Sequence, residues 1–181
     1  MLRLVPIYFG HQQEFLVRLA QTLQEVLGLQ VEQHLPRFDP ELAFDPNREQ
    51  YNSRILLRQL LDDATPDTTK ILGVAGVDLF IPVLTYVFGE AQLDGRAAVV
   101  SCFRLDNQIY GLPRDPERML DRLRKESLHE LGHTYNLVHC RRHPCVMMSS
   151  TYVEDIDQKS NRFCSRCIEV VRRPATVPER R

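Results

Sequence analysis

The stretch DPERMLDRLRKESLHELGHTYNLVH, residues 115 to 139, predicts a long helix that carries three histidines at fixed spacing. Its start is well marked, because Asp115 can cap a helix, Pro116 suits the first helical position and Glu117 favours the positive end of the helix dipole. Its apolar positions include Leu120, Leu123, Leu128 and Leu131. The helical pattern continues to about Tyr135, so we expect two of the histidines to lie in its last turns.

His129 and His133 are four residues apart, so their rings lie one turn apart on the same helical face and can bind one ion. Neutral imidazole suits zinc, and a third histidine, His139, would leave a fourth position for a water molecule whose pKa falls towards about 7. Glu130 can accept a proton from that water and return it to a leaving amine. This set predicts a zinc-dependent hydrolase of peptide bonds.

His139 can reach the same metal only if the helix ends before it. A continuous helix would place His139 about 120° from His133 in azimuth and roughly 9 Å along the axis. Asn136 lies between them, and asparagine enters the left-handed backbone region at modest cost. We therefore expect the helix to end near Asn136 and the chain to fold back. The histidine pair with its glutamate is only suggestive by itself, and the third ligand makes the pattern specific.

The residues before this helix predict an α/β fold. Strands are expected at residues 3–9, 29–35, 70–79 and 97–105, and helices at residues 12–27 and 47–62. A further strand over residues 84–92, interrupted by Gly89, precedes the hairpin signal Asp94-Gly95. This strand would run antiparallel to its successor at a sheet edge, where an extended peptide can bind by adding a strand. We expect a mixed sheet of about five strands, with helices flanking it and a last short helix at residues 165–172.

Composition and charge exclude several classes of protein. The chain has 181 residues, and its 23 Lys and Arg against 24 Asp and Glu give a net charge of −1, which offers no overall attraction to nucleic acid or to an anionic membrane. The amino-terminal apolar run is too short for a signal peptide, and no apolar run is long enough to span a membrane. We expect a cytoplasmic monomer with no nucleic-acid or membrane partner.

Four of the five cysteines lie between residues 140 and 167, and Cys102 stands alone. In a reducing cytoplasm, clustered cysteines suggest a metal site rather than disulfides. Cys102 lies in an apolar strand and is expected to be a small buried hydrophobe. His143 could compete as a metal ligand, but a solvated loop histidine is the preferred interpretation.

The histidine segment resembles the metzincin metallopeptidases, whose pattern is His-Glu-x-x-His-x-x-Gly-x-x-His followed by a methionine turn beneath the metal. Asn136 stands where that pattern has glycine. Within this clan the chain resembles the archaemetzincins, because Cys140 directly follows His139 and precedes Cys145-Val146-Met147 and later Cys164-Ser165-Arg166-Cys167. The resemblance covers most of the chain.

This resemblance implies a metzincin-like α+β fold with an active-site helix and a small C-terminal subdomain stapled by zinc. It implies two zinc ions in each chain. The catalytic zinc would be bound by His129, His133 and His139, and the structural zinc by Cys140, Cys145, Cys164 and Cys167. Met147 would form the methionine turn, with the adjacent Met148 as the alternative. Peptide or protein would be the substrate, with Glu130 as the catalytic base.

We expect one metallopeptidase domain over residues 1–181. Its N-terminal subdomain, residues 1–136, would hold the sheet and the active-site helix, and its C-terminal subdomain, residues 137–181, would hold the third histidine, the methionine turn and the cysteines. Two other functions stay open at this stage. One is a metal-dependent endoribonuclease, because bacterial rRNA-maturation nucleases use three histidines at this spacing, although they lack the glutamate. The other is a non-catalytic, zinc-stabilised module that binds peptides at the 84–92 edge.

Overall fold

The computed structural model describes residues 1–10 and 13–173 of the chain. The strands in this part are β1 (Leu2–Ile7), β2 (Val31–Gln33), β3 (Phe44–Asp45), β4 (Gln50–Asn52), β5 (Lys70–Ala75), β6 (Leu79–Phe80), β7 (Gly89–Ala91) and β8 (Ala97–Ser101). The α-helices are α1 (Gln13–Leu27), α2 (Ser53–Asp63), α3 (Pro116–Thr134), α4 (Val153–Gln158) and α5 (Ser165–Val171). Short 3-10 helices cover Pro40–Ala43, Phe103–Leu105 and Asn107–Tyr110.

The larger sheet has five strands in the order β2-β1-β5-β8-β7. Its first four strands are parallel, and β7 pairs antiparallel with β8, so that Glu90 lies opposite Val99. The prediction of a mixed sheet of about five strands with an antiparallel edge is therefore confirmed.

Helices cover both faces of this sheet. The side chains of β1 show the division, because Leu2 and Leu4 pack with α1 and α3 whereas Val5 and Ile7 pack with α2. All four are completely buried. Parallel strands that are buried on both faces need continuous apolar sequence, which is why β1, β5 and β8 appear in the sequence as apolar runs.

Helix α3 begins where the sequence predicts. The Asp115 carboxylate accepts a hydrogen bond from the Arg118 amide at 3.0 Å, and Pro116 is the first helical residue. The helix ends at Thr134, one residue before the predicted limit. It packs against β8 and β7, so the histidine helix lies next to the antiparallel edge of the sheet.

The segment before the edge strand departs from the prediction. Only Gly89–Ala91 of the predicted strand 84–92 belongs to the larger sheet. The Arg48 guanidinium donates to the carbonyl oxygens of Leu84 and Thr85 at 2.8 and 3.1 Å. The prediction of one continuous strand is wrong because side chains, rather than a neighbouring strand, satisfy these backbone groups.

Several other elements also differ from the prediction. The apolar run 70–79 is divided, and its last residue begins β6, which joins β3 and β4 in a separate three-stranded sheet. The run 97–105 ends as a strand at Ser101 and continues as a 3-10 helix, and α4 is an additional helix. An apolar run indicates burial, but it does not identify the partner strand, which is why these divisions could not be read from the sequence.

The last described helix is α5, which stops one residue before its predicted limit at Arg172, and the described residues end at Arg173. Residue 12, where the first predicted helix begins, and the tail from residue 174 lie outside the described residues. Within residues 1–10 and 13–173, no helix combines the length and the apolar character needed to cross a membrane.

Candidate metal centres

Three histidines from two parts of the chain meet at one point. Helix α3 carries His129 and His133, and the loop after the helix brings His139 to them. One ring nitrogen from each histidine lies within 4.8 Å of the other two, and the Nε2 atoms of His129 and His133 are 3.1 Å apart. Three imidazoles gathered in this way match the ligand set of a catalytic zinc site.

Backbone carbonyl groups orient two of the three rings. The Nδ1 atom of His129 lies 2.9 Å from the Val146 oxygen, and that of His133 lies 2.7 Å from the Leu137 oxygen. A carbonyl oxygen only accepts hydrogen bonds, so each Nδ1 carries the proton and each Nε2 keeps a free lone pair. This is the tautomer that a metal ligand needs.

Burial keeps these rings neutral. Loss of solvent lowers the pKa of His129 well below its ordinary value, and the nearby Lys159 ammonium lowers it further. Burial is also the main cause that lowers the pKa of His133 and of His139. Neutral imidazoles have a lone pair available for a cation, so the electrostatics of the cluster favour metal binding.

The turn at Asn136 brings His139 back towards the helix. Asn136 has a φ of 65°, in the left-handed region. The amides of Tyr135 and Leu137 both donate to the Gly132 oxygen, at 3.0 and 3.2 Å. These bonds satisfy a carbonyl at the helix end as they do in a glycine-terminated helix. The prediction that the helix breaks at a left-handed asparagine is confirmed.

A buried lysine holds the end of this helix. The Lys70 ammonium donates to the carbonyl oxygens of Thr134 and Gly95, both at 2.7 Å, and lies 4.2 Å from the centre of the Tyr135 ring. Burial lowers the pKa of Lys70 to about 8. Sequence reasoning does not find this residue, because its two carbonyl partners are 64 and 25 residues away along the chain.

Glu130 lies beside the histidines in a buried position. Burial raises its pKa well above the ordinary value, and the carboxylates of Glu126 and Glu90 raise it further, whereas Lys159 lowers it. A carboxylate whose pKa is raised in this way is a stronger base than one in water.

The approach of the edge strand to Glu130 depends on Gly89. A Cβ atom at this position would lie 2.6 Å from the Glu130 Cγ and 2.7 Å from the Val99 oxygen, both closer than atoms pack. Only glycine therefore allows β7 to lie against Glu130 at this distance. The signal in the sequence was a glycine that interrupts a strand, although its partner could not be read there.

A buried ion pair lies behind the histidines. The Lys159 ammonium is 2.9 Å from the Glu126 carboxylate and 3.5 Å from the His129 Nδ1, and the two paired side chains are 0% and 3% exposed. Because the His129 Nδ1 donates its proton to Val146, the ammonium donates to Glu126 instead. The pair joins the residue after α4 to α3, and it could not be predicted from the sequence because the two residues are 33 apart.

Met147 lies beneath the histidine helix. It is completely buried, and a Cβ atom added to Gly132 would overlap its Sδ atom. The adjacent Met148 is only partly buried. Of the two methionines considered for the turn, Met147 is therefore the one in contact with α3.

The four clustered cysteines also meet. Their Sγ atoms all lie within 4.8 Å of one another, with 3.9 Å between Cys140 and Cys164 and 3.8 Å between Cys145 and Cys167. All four are free thiols. This set fits a closed tetrahedral zinc site in the chemistry of its donors.

Backbone amides donate to two of these sulfurs. The Arg142 amide donates to the Cys140 sulfur, and the Cys164 amide donates to the Cys145 sulfur, both at 3.4 Å. Burial raises the pKa of Cys145 and of Cys167, whereas at Cys164 hydrogen bonds from the backbone and from neighbouring thiols outweigh burial and lower the pKa to about 7. The lowered pKa of Cys164 favours its thiolate, which is the form that binds metal.

Two other candidates lie outside both clusters. His143 is exposed and belongs to neither group of ligands. Cys102 is buried, and burial raises the pKa of its thiol to about 12, which agrees with its interpretation as a small buried hydrophobe.

A cleft of about 780 Å³ opens over the histidine cluster. One wall is formed by residues 84–91, which include the edge strand, and the opposite wall by residues 150–152. The three histidines and Glu130 also line it. The cleft therefore gives a substrate access to the potential metal ligands and to a carboxylate.

Comparison with known proteins agrees with this geometry. The model of peptidase family M54 matches residues 19–173. The archaemetzincin of Methanocaldococcus jannaschii is 37% identical over 159 residues, which cover 86% of this chain and 84% of that protein. The archaemetzincin of Methanopyrus kandleri is 43% identical over 134 residues, which cover 74% of this chain and 73% of that protein.

Solved structures show the same fold. The crystal structure of the Methanopyrus kandleri archaemetzincin aligns with a TM-score of 0.81 at 36% identity, covering 94% of this chain and 93% of that one. A zinc-dependent peptidase from Methanocorpusculum labreanum aligns with a TM-score of 0.80 at 27% identity, covering 94% of this chain and 100% of that one. The chain therefore belongs to peptidase family M54, the archaemetzincins, and is a metallopeptidase.

Proposed function

We propose that this metallopeptidase binds a catalytic zinc ion through His129, His133 and His139 and uses Glu130 as its general base. One observation carries the proposal: three neutral imidazoles and one buried carboxylate lie together in a single open cleft. Bound there, zinc would supply a Lewis acid for the scissile carbonyl and would lower the pKa of a water molecule.

Glu130 would take up the proton of the attacking water. Burial makes its carboxylate more basic than a solvated one, which favours proton uptake, and the carboxyl group then holds that proton for the leaving amine. Lys159, which lowers the same pKa, limits how far this shift goes. His129 and His133 would stay fixed throughout, because Val146 and Leu137 hold their Nδ1 atoms.

The edge strand β7 supplies a surface along which a peptide could bind. The Phe88 oxygen accepts a bond from Ser101, and the Gln92 amide donates to Ala97, so these two residues face β8. By the alternation of an antiparallel pair, the main-chain groups of Gly89 point away from β8. An extended peptide could pair with them and so place its carbonyl beside Glu130.

We further propose that Cys140, Cys145, Cys164 and Cys167 bind a second, structural zinc ion, so that each chain holds two. Four thiolates leave no position for a reactant, and such a site contributes to folding. The site would also fix His139, which is next to Cys140 in the chain. Elemental analysis of the purified protein is expected to give two zinc ions per chain, and one alone would contradict this part of the proposal.

The division into residues 1–136 and 137–181 is proposed as a division within one cooperative domain. The sheet and α3 lie in the first part, but buried residues of both parts share one core, in which Leu128 and Leu131 pack with Val146 and Ile156. We therefore expect one unfolding transition. We also expect a peptide or protein substrate and a monomer, and sedimentation would test the monomer.

Replacing Glu130 by alanine tests the mechanism. Peptide hydrolysis is expected to fall by a factor of about 10² to 10⁴, because the proton acceptor is lost while the metal ligands stay. Zinc content, measured on the same sample, should not change. Unchanged hydrolysis would contradict the role of Glu130.

A non-catalytic peptide-binding module is the second candidate, because the free edge of β7 could bind a peptide without chemistry. If wild-type protein loaded with zinc binds peptides but cleaves none of a diverse library, this second candidate is favoured. Cleavage of RNA instead of peptide would favour an endoribonuclease.

A further inference from the structure

The cleft wall before the edge strand is irregular but firmly held. The Arg48 guanidinium donates to the Leu84 and Thr85 oxygens and lies 4.2 Å from the centre of the Phe80 ring. The Gln50 side-chain amide donates to the same Thr85 oxygen at 3.0 Å. These contacts fix the backbone immediately before Tyr86, whose side chain lines the cleft.

The Tyr86 ring is also held from behind. It lies 4.1 Å from the Arg104 guanidinium, and Arg104 in turn makes two hydrogen bonds to the Asp78 carboxylate, at 2.7 and 2.6 Å. The Phe88 ring packs edge-on against it, with 5.5 Å between ring centres. A side chain that is stacked on two sides has little freedom to swing away from the cleft.

The Tyr86 hydroxyl crosses the cleft. It donates to the Thr151 oxygen at 3.2 Å, and Thr151 belongs to the opposite wall. That wall is anchored too, because the amides of Thr151 and Tyr152 donate to the Asp155 carboxylate at 2.8 and 2.9 Å. The hydrogen bond between Tyr86 and Thr151, called the cleft bridge below, therefore joins two fixed walls.

The cleft bridge lies close to the reacting groups. Gly89 packs against Glu130, and Tyr86 precedes Gly89 by three residues. An extended chain advances at most about 3.3–3.6 Å per residue, so the Cα atoms of Tyr86 and Gly89 are at most roughly 11 Å apart along this wall. A substrate strand has the same maximum advance per residue. At most about three substrate residues therefore fit beside this stretch of the wall, between the scissile bond and the bridge.

Leu93 and Val138 also line the cleft, and their side chains are exposed. The Asp94 amide, one residue after Leu93, donates to the His133 oxygen at 3.0 Å, so the backbone there is joined to the end of α3. Among the hydrogen bonds of the described residues, the one from Tyr86 to Thr151 is the one that joins residues 84–91 to residues 150–152.

We propose that the cleft bridge restricts the substrates of this peptidase to short peptides and chain ends that extend no more than about three residues beyond the scissile bond on the Tyr86 side. This inference rests on the proposed function, because it assumes peptide hydrolysis at Glu130. Tyr86 acts here as a specificity-determining residue, since a longer chain must break its hydrogen bond or displace its ring.

Two series of peptides test the proposal. Both share one cleavable core, and one series is extended residue by residue at its N-terminus and the other at its C-terminus. With the zinc-loaded wild-type protein, kcat/KM is expected to fall about fivefold to tenfold beyond the third added residue in one series only, because a hydrogen bond must be broken. Equal rates across both series would overturn the proposal.

Variants of Tyr86 distinguish the effect of the cleft bridge from a general effect on folding. Tyr86→Ala should abolish the fall in kcat/KM, and Tyr86→Phe should reduce it, because the ring stays while the hydroxyl is lost. Tyr8→Phe is the matched control, since the Tyr8 hydroxyl bonds to Glu41, outside the residues that line the cleft. The control should keep the wild-type length limit. A limit that persists in Tyr86→Ala would contradict the proposal.

If no peptide is cleaved, measurements of peptide binding still test the proposed role of the cleft bridge. The affinities of the same two series for zinc-loaded Glu130→Ala, measured by calorimetry, should weaken beyond the third residue in one series only. If no peptide is cleaved but binding shows this pattern, the proposed function is contradicted and the cleft bridge is supported as a limit on binding. If peptides are cleaved without any length limit, the proposed function is supported and the role of the cleft bridge is contradicted.

Discussion

The histidine cluster ends at His139 and the cysteine cluster begins at the next residue, Cys140, yet their surroundings differ. The histidines offer three ligands and line an open cleft. The cysteines offer four ligands, of which Cys145 and Cys167 are buried. A tetrahedral zinc ion has a position left for a reactant in the first case and none in the second. Ligand number and access therefore distinguish a catalytic site from a structural one.

The two clusters are joined through the segment Val146-Met147. The Cys140 amide donates to the Met147 oxygen at 2.8 Å, and the oxygen of the preceding residue, Val146, holds the His129 ring. Loss of the cysteine site should therefore disturb the histidines. Loss of the histidine site should disturb the cysteines little. His139 is exposed, and within the described part of the chain its ring makes no hydrogen bond to the cysteine loop.

The largest effect is expected from variants at the two neighbouring residues, His139→Ala and Cys140→Ala, which test whether the two metal sites differ. Each is expected to retain one zinc ion instead of two and to lose peptide hydrolysis. Cys140→Ala should lower the free energy of unfolding by roughly 5 kcal/mol or more, because metal binding at such a site is coupled to folding. His139→Ala should lower it by less, by roughly 3 kcal/mol at most, because it loses only the stabilisation that a ligand bound to the folded protein provides.

Zinc analysis and chemical denaturation of both variants check this pair. Equal losses of stability would show that the two sites do not differ in the proposed way. Ser165→Ala is a suitable control, since it lies between the cysteine ligands and supplies none of them.

The next largest effect is expected from acid, which should lower the stability of the histidine site. In the native protein, burial lowers the pKa of His129, His133 and His139, so the unfolded chain takes up protons first, near pH 6.5. With the catalytic zinc removed and the cysteine zinc retained, stability should therefore fall as the pH drops below about 6.5. Denaturation at pH 7.5 and 5.5 measures this. The same slope in a His129→Asn, His133→Asn double variant would contradict it.

A smaller effect is expected where the helix packs on the methionine. Gly132→Ala should lower the free energy of unfolding by about 1–3 kcal/mol, because the new methyl group would overlap the Met147 Sδ. Met147→Ala alone should also lower it, because a buried side chain is lost. The double variant should lose less than the sum of the two single losses, since the overlap is removed. Thermal denaturation of the three variants decides this, and a fully additive loss would show that the two residues do not interact.

The smallest effect should come from the turn at Asn136, between His133 and His139. Asn136→Ala should lower the free energy of unfolding by about 1 kcal/mol, because alanine tolerates a left-handed φ less well than asparagine. Asn136→Gly should be neutral or slightly stabilising, because glycine adopts that φ freely. Denaturant unfolding of both variants would measure the difference, and the opposite order would contradict the role given to this turn.

Much of the site could be predicted because it is local. His129, Glu130 and His133 share one helix turn, Asp115 and Pro116 mark where that helix begins, and Asn136 marks where it ends. The two ligand clusters could be proposed from spacing together with the family resemblance, and the structure brings both together. The mixed sheet followed from apolar runs and one hairpin signal.

The strand over residues 84–92 shows where such reasoning fails. Its apolar residues suit a strand, but Arg48 and Gln50 hold the carbonyl groups of its first half, and only Gly89–Ala91 joins the sheet. Both side chains lie more than 30 residues away in the chain. A residue pattern carries no information about such partners.

By itself, the sequence determined which side chains could bind metal, where their helix begins and ends, and that the cysteines form a group. These features depend on neighbours within a few residues, which the helix and turn geometries place directly. Three contacts were decided by the tertiary structure alone. Gly89 lets the edge strand pack against Glu130, Lys159 pairs with Glu126 behind the histidines, and the Tyr86 hydroxyl donates to the Thr151 oxygen. Each of these contacts joins distant parts of the chain, so it exists only once the sheet and helices have packed.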